Sequence, residues 1–185
     1  MAAAEVVAAG RPVAAVVDLA GSAAVVEVSA AAARAEVGSD MRTKEFLGKL
    51  EHDEIVKAIR AAESKTSGEI RVFIQRGEMD VDPLGPATKR FHRLGMHKTP
   101  ERNAVLIFVA PRAHKFAIVG DKAIHEKCGA ELWQRLVDRM HEHFRNEKFS
   151  HAIVDAIHEI GDALAAHFPR RSTSAGGLPD EVVEG

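Results

Sequence analysis

The segment "RNAVLIFVAPRAHKFAIVGD", Arg102 to Asp121, decides how the whole chain is read. Asn103 to Ala110 is an unbroken apolar run rich in branched side chains, of the length expected for a central strand covered on both faces. "PRAH" reads as a turn, and "KFAIVGD" as a strand returning antiparallel beside the first. Upstream, "EIRVFIQ" alternates Ile70, Val72 and Ile74 against Arg71, Phe73 and Gln75, the signature of another strand. Gly68, in the corner "TSGE", ends the preceding helix and frees the backbone to turn into that strand.

Helices are expected between and around these strands. Ile55, Ile59 and Ala62 fall at i, i+4 and i+7, with Asp53 and Glu54 in the first turn. The same helix is expected to extend backward through Leu47 and Leu50. Pro83 and Pro86 open a second helix with Ala87, Phe91 and Leu94 on one face. Two more follow, one carrying Leu132, Leu136, Val137 and Met140, the other Ile153, Ile157, Ile160 and Leu164. A strand, a crossover helix and another strand run parallel with a right-handed connection, whereas the four-residue link makes the next pair antiparallel. The expected class is α/β: a small mixed β-sheet sandwiched by α-helices.

The totals bound the rest. A chain of 185 residues, 46% hydrophobic, suits one domain with a real core. Residues 1–37 hold 15 Ala and 9 Val, no aromatic residue and no sustained period, so 1–40 is expected to be an extension outside the core. The abrupt change at Met41 suggests that the native start lies there. The domain is then 41–169, and 170–185, turn-rich and weakly apolar, reads as a mobile tail. A net charge of −2 argues for no nucleic-acid partner. No apolar run reaches the roughly 18 residues of a spanning helix, and Glu5 stands where a signal peptide has basic residues, so no transmembrane segment and a soluble, cytoplasmic protein are expected. The single cysteine, Cys128, forbids an internal disulfide and reads as a small buried hydrophobe.

Taken in order, "AAESKTSGEIRVFI", "RNAVLIFVA", "KFAIVGDK" and "HFRNEKFSHAIVDAI" resemble the TPM-domain family, named for a thylakoid-lumen protein, a photosystem II repair protein and an acetylcholine-receptor modulator, and sometimes labelled phosphatase-like. The resemblance spans about residues 44–168. It implies an α/β sandwich with a small mixed sheet, in agreement with the reading above. It also implies acid phosphatase activity in some members, a bound divalent cation such as calcium in some, and attachment to an envelope or membrane in many. Asp121 departs from the aromatic residue or glycine expected of many relatives after the Gly120 position.

Topology supplies a candidate site. The start of the first strand (Glu69), the start of the second (Asn103) and the end of the third (Asp121) share one rim, where Thr66 and Ser67 join them. Carboxylates, an amide and hydroxyls are the oxygen donors that a hard cation prefers. The expected metal ligands are Glu69, Asn103 and Asp121, for calcium or magnesium. Asp121 and Arg102 are the residues expected to carry turnover in a slow, cation-assisted phosphomonoesterase, Arg102 contacting phosphate. The same residue types also cap turns. The favoured expectation is therefore a binding or regulatory module with an unknown protein partner, and the weak acid phosphatase is its alternative.

Other motifs carry less. "DVDPL", Asp80 to Leu84, misses the aspartyl phosphotransferase pattern, and Asp82 reads as the start of a helix. Ten histidines invite a metal. His151, Asp155, His158 and Asp162 form one stripe, about 200° around their helix from its isoleucines by the 3.6-residue period. That stripe should face water, and it makes no zinc site without ligands from another element. "RFHRLGMHK" is the most basic local segment and reads as a solvated helix face.

Overall fold

The computed structural model describes residues 43–77, 79, 82–113 and 115–170, together with two backbone strands at 15–18 and 24–27. The remainder of the 1–40 extension, the tail after Arg170, and Asp80 lie outside the described residues. In chain order the elements are β1 (Ala15–Asp18), β2 (Ala24–Glu27), α1 (Thr43–Gly48), α2 (His52–Glu63), β3 (Ile70–Ile74), α3 (Leu84–Arg93), β4 (Val105–Ala110), β5 (Lys115–Gly120), α4 (Lys122–Arg145) and α5 (Phe149–His167). Short 3-10 turns at Met96–Lys98 and Pro111–Ala113 lead into β4 and β5.

The sheet order is β1-β2-β5-β4-β3. β3 and β4 are parallel with Ile70 opposite Val105, and β4 and β5 are antiparallel with Val105 opposite Gly120. This mixed pairing is the one the loop lengths imply. β4 is the centre of the molecule, with no residue more than 1% exposed. Its side chains alternate. Val105, Ile107 and Val109 pack with the residues of α2, α4 and α5, while Leu106, Phe108 and Ala110 pack with Ala87 and Phe91 of α3. A run apolar at every position is what a strand with helices on both faces requires.

Two elements differ from the sequence reading. The first helix does not run through Leu50: α1 ends at Gly48 and α2 begins at His52. Glycine is a poor helix residue, and the Glu51 N–H donates to Ser150 Oγ at 2.9 Å, a partner from α5 that pins the break. Leu50 is buried all the same. The second difference lies in the extension, where "AVVD" and "AVVE" form an antiparallel pair and β2 lines up on β5, Val25 opposite Val119. β-branched pairs favour strands, and the added ribbon covers an edge of β5 that would otherwise expose unpaired backbone groups.

Candidate functional site

The corner between α2 and β3 is stitched to the segment that follows α5. Thr66 Oγ1 donates to the Phe168 carbonyl at 2.5 Å and accepts from the Gly68 N–H at 3.0 Å. Ser67 N–H donates to the same Phe168 carbonyl at 3.0 Å, and Arg170 N–H reaches the Lys65 carbonyl. A Cβ at Gly68 would stand 2.7 Å from Leu164 Cδ2 of α5, so any larger residue there would force that buried side chain to shift. Buried Thr66 is thus a structural residue that fixes where Ser67 and Glu69 emerge.

Register brings the next strands to the same rim. The Val105 N–H donates to the Glu69 carbonyl at 2.8 Å, and the Asp121 N–H donates to the Ala104 carbonyl at 2.9 Å. The backbones of Glu69, Asn103 and Asp121 therefore lie together. Their side chains have different partners.

Asp121 is completely buried. Arg102 Nε lies 2.9 Å from Oδ2, and Arg102 Nη2 lies 2.9 Å from Oδ1. Oδ1 also accepts from the Lys122 N–H at 2.8 Å, which caps α4. Both carboxylate oxygens are occupied by protein donors. The hydrogen bonds to Asp121 raise the Arg102 guanidinium above its ordinary range against the opposing effect of desolvation. Arg102 has a left-handed backbone, φ 51, and its carbonyl accepts from the Ala123 N–H. The pair thereby joins the loop before β4 to the start of α4.

Glu69 reaches Arg71, with Nε 2.8 Å from Oε1, in a pair that remains half exposed. Asn103 is buried; its side-chain amide donates to Ser67 Oγ at 3.1 Å. Ser67 in turn donates to the Glu101 carboxylate. Asn103 Oδ1 is shut off from solvent and has no hydrogen-bond partner. Asn103 Nδ2, Ser67 Oγ and the Glu101 carboxylate thus form one hydrogen-bonded chain, with the unpartnered Asn103 Oδ1 at its buried end and Glu69 beside it. The sequence reading placed Asn103 and Glu69 at this rim but missed Glu101, whose only signal is an acid two residues before Asn103. Among the described residues, no three His, Cys, Asp or Glu side chains are gathered for a metal.

His97 completes the rim. Its Nδ1 is buried without a partner, and its ring stands 4.7 Å from that of His92. Burial, followed by His92, Lys98 and Arg102, pushes the imidazole below its usual value, with Asp121 acting in the opposite direction.

The TPM domain model matches residues 41–163, more than half of the chain. The solution NMR structure of the BA42 protein from the psychrophilic bacterium Bizionia argentinensis is similar over 78% of this chain and 94% of its own, with 34% identity and a TM-score of 0.59. The N-terminal domain of the cg2496 protein from Corynebacterium glutamicum matches over 72% of this chain and 80% of its own, with 14% identity and a TM-score of 0.49. No curated protein matches the chain. No helix among the described residues is long and apolar enough to cross a membrane.

Proposed function

This chain belongs to the TPM-domain family, and from that premise we propose that it is a binding module whose working element is the oxygen-lined corner of Ser67, Glu101 and Asn103, with Glu69 beside it. The corner takes a divalent cation, calcium or magnesium, and presents it to a protein partner. The observation that carries this reading is Asn103 Oδ1, an acceptor buried without a partner. Leaving such an atom unpaired costs about 1–3 kcal/mol, and native structures rarely do so without a use for it. A hard cation takes carbonyl, hydroxyl and carboxylate oxygens, the donor types that stand there. When bound, the ion would supply positive charge for a partner's carboxylate or phosphate to meet.

Hydrolysis through Asp121 and Arg102 is the less favoured reading. Turnover would require the pair to separate, leaving a buried carboxylate and an uncapped helix. An assay with an aryl phosphate and calcium separates the two readings. Binding predicts turnover no higher than the blank, and the side-chain amide signal of Asn103 shifting as calcium is added. Turnover that Asp121→Asn abolishes in a folded protein would restore the phosphatase.

A further inference from the structure

We propose a second metal site, for zinc or an ion of similar preference, at the apex of the hairpin formed by α4 and α5, with His143, His151 and Asp155 as its ligands. It is separate from the oxygen-lined corner: Asp121 caps the start of α4, and His143 lies in its last turn.

The surface stripe on α5 lacks a ligand from another element, and the fold supplies one. His143 Nε2 of α4 stands 3.1 Å from Asp155 Oδ2 of α5. Two ligand atoms on a tetrahedral zinc stand about 3.3 Å apart, from Zn–N and Zn–O bonds of roughly 2.0–2.1 Å. The pair is thus already at ligand spacing. His151 is one helical turn before Asp155, at i and i+4, so both lie on the same face. Its ring centre is 6.2 Å from that of His143. Two imidazoles sharing one zinc have ring centres about 5 Å apart by the same bond lengths. An inward movement of about 1 Å closes the triad, and a rotation of the exposed His151 side chain supplies it. The three are not gathered before that movement.

The backbone around the site is held firmly. Phe144, next to His143, packs against Phe116 at 5.3 Å and Phe149 at 5.6 Å, and Phe149 packs against Phe46 at 4.9 Å. Lys49 reaches Glu147 in the turn, and Ser150 holds the Glu51 N–H. Arg135 and Arg139, earlier on α4, are both held by Glu159. His143 is 23% and Asp155 38% exposed, which leaves a way in for the ion and room for water as a fourth ligand.

The test is titration of the full chain, carrying no histidine tag, with cobalt(II) as a spectroscopic probe and zinc as competitor. The expected result, read from the intense visible bands of a tetrahedral site, is one such ion per chain, cobalt at the oxygen-lined corner giving only weak bands. Binding should weaken by more than about 10–100-fold, the effect of losing even an outer-shell partner, in His143→Gln, His151→Gln and Asp155→Asn, and be unchanged in His158→Gln. Excess calcium should leave the spectrum unaltered. In the unaltered chain, the ring nitrogen signals of His143 and His151 should move together as zinc is added, which keeps the test valid if a variant fails to fold. No binding, binding indifferent to His143→Gln, or binding lost in His158→Gln would overturn the site.

Discussion

Asp121 and Asn103 close neighbouring strand ends and are both almost fully buried, yet one has every oxygen engaged and the other has an oxygen with none. That contrast separates a structural residue from a candidate ligand. Asp121→Ala removes the α4 cap, about 1 kcal/mol, and hydrogen bonds to a charged group, about 1.5–3 kcal/mol; Arg102, 35% exposed, recovers part of this through water. A loss of about 2–4 kcal/mol in urea unfolding is expected, and a loss under about 0.5 kcal/mol, the scale of an ordinary surface change, would deny the pair its role. Gly161→Ala should also destabilise. A methyl there stands 2.6 Å from Ala62 Cβ where α5 meets α2, and overpacking of about 1–3 kcal/mol outweighs alanine's helix preference of about 1 kcal/mol. Two titrations follow from burial. His97 has a depressed value, so the folded state prefers it neutral; its contribution to stability is present above about pH 6.5 and is lost as pH falls through the lower folded value. NMR titration should find it below about 6.5, the value of an unperturbed imidazole. Desolvation, opposed by Arg135, raises the Cys128 thiol. Its alkylation at pH 8 should be slower than that of free cysteine and accelerate on unfolding, whereas equal rates would place it in an open environment.

The elements legible in the sequence are those whose side chains repeat without interruption. β4 declares itself by seven consecutive apolar positions after Asn103, and α5 by Ile153, Ile157, Ile160 and Leu164, all buried as their spacing implies. What could not be read depends on partners distant in sequence. The break after α1 is held by Ser150, some 99 residues away, and no local signal announces it. The strands β1 and β2 are four residues each, too short for alternation to register, and their pairing comes from the free edge of β5. Hydrogen exchange tests that ribbon. A chain beginning at Met41 should lose protection at the β5 amides facing β2 while β4 keeps its own; unchanged β5 amides would mean that the ribbon protects nothing.

At the scale of the molecule, crossover lengths alone imply a parallel β3–β4 pair and an antiparallel β4–β5 pair, and those two relations bring three strand ends to one rim. The position of the candidate rim was legible for that reason. Its chemistry was not, because side-chain torsions send Asp121 to Arg102 and Glu69 to Arg71, while Glu101 enters from the loop. The direct measurement is calorimetric titration of the full chain with calcium and magnesium, beside Glu101→Gln/Asn103→Ala and Asp121→Asn. Saturable binding that disappears in the double variant and survives in folded Asp121→Asn is the predicted result. No heat of binding in the unaltered chain, or binding that depends on Asp121 alone, would contradict the oxygen-lined corner as the working site.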